Sequence, residues 1–164
     1  MPTADVSARP AVPGDEDAIA DIQLAAWRGF LGDAAVDAVP RDEVLATWGA
    51  AIQSPPSREH KVFVATDGPH VVGFAAMASG GEIVALEVAP EHRRAGHGSR
   101  LLAACVDTLR IQGGTTLRAW ALEGDDAREA FLTGAGLGEG GVRRGMDGPD
   151  GELAERMFRA ELAQ

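Results

Sequence analysis

The chain is 164 residues long and carries 25 acidic against 15 basic side chains, a formal net charge of −10 at pH 7. That length fits one domain whose core needs no disulfide or metal staple, and the acidic balance argues against nucleic acid or a membrane surface as a general partner, because phosphate binding needs basic surface. A single cysteine, Cys105, excludes an internal disulfide and a cysteine-rich zinc site, and with no leader-like N-terminus and no apolar run of about 18 residues the expected setting is soluble and cytoplasmic. Tyr and Asn are absent and Lys occurs once, at Lys61, a bias that reads as GC-rich codon usage.

Val6 to Val12 reads as a first strand. Gly14-Asp15-Glu16-Asp17 then offers a capping residue and an acidic first turn, and Ile19, Ile22 and Ala26 recur at helical spacing, so Asp15 to Arg28 is expected as helix. After a Gly- and Asp-bearing loop, Gly29 to Val39, Pro40 opens a second helix in which Val44, Leu45, Trp48 and Ile52 share a face, closed by Pro55-Pro56. From residue 61 the pattern becomes that of strands: Lys61 to Ala65, Val71 to Ala78 and Glu82 to Val88, punctuated by Asp67-Gly68-Pro69-His70 and Gly80-Gly81.

Leu101, Leu102, Cys105, Val106 and Leu109 return to helical spacing, with Gly113-Gly114 as the stop and Cys105 on the apolar face as a core residue. Thr115 to Leu122 is a further strand. Asp126-x-x-Glu129 resembles a capping box for a short helix to Leu132, and the pair Gly140-Gly141 reads as a turn. Val142 to Met146 and Leu153 to Ala160 are two last strands around a turn at Gly148-Pro149-Asp150-Gly151. The order β-α-α-β-β-β-α-β-α-β-β gives a mixed α/β (α+β) domain with its core over 6–161. Its central sheet is mostly antiparallel, with about seven strands and four helices.

Chemistry concentrates in Val88-Ala89-Pro90-Glu91-His92-Arg93-Arg94-Ala95-Gly96-His97-Gly98-Ser99, which joins a buried-looking strand to an amphipathic helix. A helix start leaves backbone N–H groups without partners and carries partial positive charge, so an anion there gains hydrogen bonds and dipole energy together. Gly96 and Gly98 allow close approach of a phosphate, and Arg93 and Arg94 add local positive charge in an acidic chain. Two other phosphate loops fail on spacing. A Walker loop needs Lys-Ser/Thr after its last Gly, where this chain has Ser99-Arg100, and a dinucleotide fingerprint needs three glycines.

The segment Arg93-x-x-Gly96-x-Gly98, preceded by Val88-x-Pro90, resembles the signature of the GNAT superfamily of N-acetyltransferases, and the element order resembles that fold over nearly the whole chain. Ala26-Trp27-Arg28-Gly29-Phe30-Leu31 and Trp48 look like a bacterial subgroup of unassigned acceptor. The resemblance implies acetyl-CoA as cosubstrate, with the amides of Arg94, Ala95, Gly96, His97, Gly98 and Ser99 on its pyrophosphate. It also implies a bulged, splayed fourth strand, Leu86 to Val88, along the pantetheine arm, where an amide near Leu86 polarises the thioester carbonyl. No metal is implied. The partner is an amine acceptor, and homodimers are frequent in such proteins.

Direct attack on a thioester requires a neutral amine, and a carboxylate with raised proton affinity suits its deprotonation. Glu82, eleven residues before Arg93, stands where some histone-modifying members of the superfamily carry their base and is the first choice; Glu87 is the second, on the opposite face by simple alternation unless a bulge resets the parity. His92 and His97 read as contacts on the phosphate side. Many relatives place an Asn at the start of the next helix and a Tyr near its end that protonates the departing thiolate. This chain has Asp125 and Leu132 at those positions, so Asp125 is carried over as a coenzyme-side residue and the acid is missing. Trp27 and Phe30 are candidates for the acceptor side, whereas Trp48 reads as core. The alternative to an enzyme is a non-catalytic acyl-CoA-binding or sensing domain, which Leu132 favours.

Overall fold

The computed structural model describes residues 6–148 and 151–163. Its strands are β1 (Val6–Pro10), β2 (Lys61–Asp67), β3 (His70–Ala78), β4 (Glu82–Val88), β5 (Thr116–Leu122), β6 (Gly138–Gly148) and β7 (Gly151–Glu161). They form one seven-stranded sheet in the order β1-β2-β3-β4-β5-β7-β6. Every neighbouring pair is antiparallel except β4 and β5. That parallel pair is joined by a crossover helix, as parallel strands require.

The helices are α1 (Glu16–Leu31), α2 (Asp33–Asp37), α3 (Arg41–Gln53), α4 (His97–Ile111) and α5 (Asp126–Gly134). The sequence pattern anticipates four; the fifth, α2, is a short turn inside the expected loop Gly29 to Val39. Nothing before Gly32 stops α1, so it runs past Arg28, and Gly32 at φ 86° breaks it. Arg28 then bridges the junction, its Nη1 at 3.2 Å from Asp33 and its Nη2 at 2.8 Å from Asp37.

The sheet is covered on both faces. Leu101, Leu102, Cys105 and Leu109 of α4, with Leu132 of α5, pack on Leu86, Leu117 and Phe158. On the other face, Ile19 and Ile22 of α1 and Val44 and Trp48 of α3 pack on Val64 and Phe74. Each fully buried side chain of this kind contributes roughly 1.5–3 kcal/mol. Trp48 meets Phe74 edge-on at 5.1 Å and its Nε1 donates to Gln23 at 2.7 Å, which settles it as a core residue.

Local chemistry departs from the sequence pattern at three points. Asp15 does not cap α1 through its side chain; its carboxylate accepts from Arg9 and from the Val12 amide, both at 2.8 Å. The cap of α5 is Asp125, whose side chain accepts from the Arg128 amide at 3.0 Å, while Glu129 turns to Arg156. Gly140-Gly141 lies within β6 rather than between elements, in an irregularity of the β6–β7 ladder between Glu139 and Arg143, with Gly141 at φ 75°. The expected turn at 148–151 includes residues 149 and 150, which lie outside the described residues.

Two irregularities in β4 position the site. Ala76 pairs with Ala85 and Met77 with Ile83, so Val84 is an extra residue, 51 % exposed. The bulge resets the alternation: Ile83 and Leu86 both join the α4 side, whereas Ala85 packs on the α1 side. Glu82 and Glu87 therefore share one face, where unbroken alternation puts them on two. In addition, β4 and β5 are in register only at Glu82 and Arg118. Beyond that pair the strands part toward Val88 and Leu122.

Gly81 sits at the apex of this parting with φ 75°, and a Cβ there would lie 2.1 Å from the Thr116 carbonyl oxygen of β5. Combining left-handed strain with overpacking, Gly81→Ala is expected to cost about 3 kcal/mol in urea denaturation. A loss below about 1 kcal/mol would show that β4 and β5 shift apart freely there. Among the described residues no helix is long and apolar enough to cross a membrane.

Candidate active site

The parted strands open into a cavity of about 1370 Å³. Its walls are the second half of β4, the loop before α4, the β5–α5 connection with the start of α5, and the end of α1. Ligands of α/β sheets collect beyond the carboxyl ends of parallel strands, and among the described residues β4 and β5 are the one parallel pair.

The loop is built for an anion. After a 3₁₀ turn at Pro90–His92, Arg94 at φ 65° and Gly96 at φ 84° bend the chain twice into the left-handed region and lead into α4. No side chain caps α4, and the amides of residues 94 to 99 find no acceptor among the described residues. Arg100 donates from Nη1 to the Ala95 carbonyl at 3.2 Å, which pins the acceptor side of the loop, and Arg93 Nε donates to the Val88 carbonyl at 3.4 Å. A Cβ on Gly98 would stand 3.3 Å from the Phe131 ring, so the helix start and α5 approach closely there. Arg93, Arg94, Gly96, His97, Gly98 and Ser99 line the cavity; Ala95 does not.

His97 is not a solvated loop side chain, for it is 2 % exposed. Burial first, and then the neighbouring Arg100, pull its pKa below the usual histidine value, so the imidazole is neutral near pH 7. It meets His92 edge-on at 6.3 Å, and His92 Nδ1 lies 3.9 Å from Asp67. Donor atoms of Asp67, His92 and His97 fall within 4.8 Å of one another, but the Arg100 guanidinium 3.5 Å from His97 Nδ1 opposes a cation there.

Leu86, Glu87 and Val88 line the inner wall. The Ala89 amide donates to Val72 of the β3 strand at 2.8 Å, so by alternation the amides of Leu86 and Val88 point away from β3, into the gap. Glu87 has its side chain 24 % exposed and paired with Arg128. Burial lifts its carboxyl above the ordinary glutamate range, against the opposing pull of Arg128 and Arg93.

Glu82, the first choice from the sequence, does not line the cavity. Its carboxylate accepts from Trp120 Nε1 at 3.0 Å and sits 3.5 Å from Arg144, which itself lies over the Trp120 ring. Asp125 borders the cavity, yet its side chain is spent on the α5 cap. Leu132 is 1 % exposed in the core. Ala26, Gly29 and Phe30 form one stripe of α1 that reaches the cavity, and Phe30 is 41 % exposed. Trp27, one residue round the helix, packs into the α1–α3 core instead. The residue the sequence reading missed is Arg128; only its place one turn before Leu132 on the same helical face signals it. Cys105 is buried with its thiol pushed up to about 12, a core residue and not an acyl carrier.

The model of one protein family, described as acetyltransferase (GNAT), matches residues 17–136. The chain belongs to the acetyltransferase (GNAT) family. Solved structures with the same fold include an N-acetyltransferase from Staphylococcus aureus Mu50, at TM-score 0.78 and 20% identity over 98% of this chain and 100% of that one. A ribosomal-protein-alanine N-acetyltransferase from Brucella melitensis gives 0.75 and 22% over 94% and 99%. A PaiA N-acetyltransferase from Thermoplasma acidophilum, in complex with coenzyme A, gives 0.76 and 13% over 96% and 99%. No curated protein matches the sequence. In this GNAT chain Gly96→Trp fills the loop and should weaken acetyl-CoA binding at least about 100-fold in calorimetry, while left-handed strain costs the fold only about 1–3 kcal/mol. Unchanged affinity would rule out the loop as the phosphate seat.

Proposed function

We propose that this chain transfers the acetyl group of acetyl-CoA to a primary amine of a small molecule, peptide or protein by direct attack. The observation that carries the reading is one cavity that joins uncapped amides at the start of α4 to a half-buried carboxylate, Glu87, through the gap between β4 and β5. The cavity exceeds the roughly 300–1,000 Å³ of sites for drug-sized ligands, which suits a long nucleotide thioester together with an acceptor.

In this reading the pyrophosphate takes the amides of residues 94 to 99, with Arg93 and Arg94 as counter-charges. The pantetheine arm lies along β4 as a surrogate for the missing strand pairing, and the Leu86 amide faces the thioester carbonyl. The amine enters past Phe30. Its nitrogen attacks the carbonyl carbon and the C–N bond forms; its proton passes to Glu87, directly or through one water; the C–S bond breaks and coenzyme A leaves as thiolate. Orientation supplies much of the rate, since the two reactants are held in one wedge.

Glu87 replaces Glu82 as the proposed base because it lines the cavity and burial raises its proton affinity. Protonated Glu87 cannot accept, so kcat/KM should fall as pH drops through a value above the ordinary glutamate pKa of about 4.3, the folded protein holding its proton to higher pH. Glu87→Gln should lower kcat about 100-fold or more and remove that acidic limb. A larger loss in Glu82→Gln than in Glu87→Gln, measured in the same pH series, would return the role to Glu82.

The absence of a hydroxyl acid at Leu132 favours the second reading, a non-catalytic acyl-CoA sensor. Thiol release from acetyl-CoA across a panel of primary amines separates the two. Saturable binding with no release from any amine would favour the sensor.

A further inference from the structure

Leu132 is buried, and among the described residues that line the cavity Ser99, in the first turn of α4, is the one that bears a hydroxyl. Beside the end of β4, where that strand faces α5, the cavity wall holds a cation. Arg128 lies in the first turn of α5, one turn before Leu132, and its side chain is 19 % exposed and crosses from α5 to Glu87 on β4. Both partners line the cavity. The pairing leaves much of the guanidinium unspent, because Arg carries five N–H donors in a planar fork, and its single carboxylate contact is made by Nη2.

We infer that the Arg128 guanidinium receives the departing sulfur and stabilises it as thiolate by charge, in place of a proton-donating hydroxyl. The assignment rests on the acyl-transfer reading of the cavity. Guanidinium is never deprotonated under these conditions, so Arg128 gives up no proton. As the C–S bond breaks, the electron pair goes to sulfur and is met by the positive charge. The amine's proton remains with Glu87 until solvent takes it. The same ion pair serves both ends of the step, since a proton arriving on Glu87 removes its negative charge and frees Arg128 for the sulfur. A cation in a site with restricted water is worth far more than one in solvent.

The bound coenzyme itself reports the interaction without any acceptor. In a pH titration of thiolate ultraviolet absorbance, coenzyme A bound to the wild-type chain should show about tenfold more thiolate at a given pH than free coenzyme A, whose thiol is of the ordinary kind with pKa of roughly 8.5. Cys105 is silent over this range, its thiol being held at about 12. Arg128→Gln should abolish the effect and Arg128→Lys should restore part of it. The Asp125 cap uses the Arg128 amide and survives either side-chain change. Glu87→Gln removes the competing carboxylate and should increase the thiolate fraction further.

A bound thiol that titrates as in free coenzyme A, or one that Arg128→Gln leaves unchanged, overturns the assignment alone. A thiolate fraction that falls in Glu87→Gln as it does in Arg128→Gln overturns it too, because Arg128 would then act only through Glu87. Failure of coenzyme A to bind in calorimetry overturns the acyl-transfer reading, and this assignment with it.

Discussion

The site depends on the divergence of two parallel strands. β4 and β5 share one register pair, Glu82 with Arg118, and then separate. A sheet interior ordinarily hides its main-chain donors in ladders, and leaving donors unpaired in a buried position costs about 1–3 kcal/mol each. Here the outward amides of Leu86 and Val88 face a cavity instead, so the cost is deferred to whatever extended polar chain fills the gap. The apex is fixed by Gly81 packed under the β5 backbone, and the crossover through α4 sets the uncapped helix start at the far end of the same opening. Backbone geometry therefore does the arranging, and side chains adjust the charge.

Charge is distributed accordingly. A chain of net −10 gathers Arg93, Arg94 and Arg100 around one loop, where they act at short range and are not cancelled by acidic residues a Debye length away. Next to that loop, at the end of β4, an ion pair of Glu87 with Arg128 stands beside the parted strands. Burial and the arginine push Glu87 in opposite directions, and burial prevails. A carboxylate poised by two opposed influences responds strongly when either changes, as happens when a ligand displaces water or draws the arginine away.

Much of this was legible in the sequence. Arg93-x-x-Gly96-x-Gly98 between a strand and an amphipathic helix identified the loop, and the apolar stripe through Leu101, Cys105 and Leu109 identified the helix that carries it. What escaped depended on contacts between distant segments. The Val84 bulge brings Glu82 and Glu87 to one face, and it arises from pairing with β3, which no local pattern encodes. Spacing to Arg93 points to Glu82, and no local pattern shows that Trp120, 38 residues away, donates to its carboxylate. Trp27 and Phe30 differ by less than a turn of α1, and only the position of α3 decides which of them is covered. The cap of α5 moved by one residue because Asp125 and Asp126 are chemically identical, and backbone direction selects between them.

The irregularity in β6 bears on how the molecule avoids its own kind. β6 is the last strand of the sheet, and a long, straight border of free N–H and C=O groups invites a strand from a neighbouring molecule to add on. The ladder to β7 loses its regular pairing between Glu139 and Arg143, around the left-handed Gly141, so the border is twisted and broken partway along. Arg143 and Arg144 follow immediately with charge. Two glycines that look like mere punctuation thus interrupt the regular border that an added strand would need, independent of any catalytic duty.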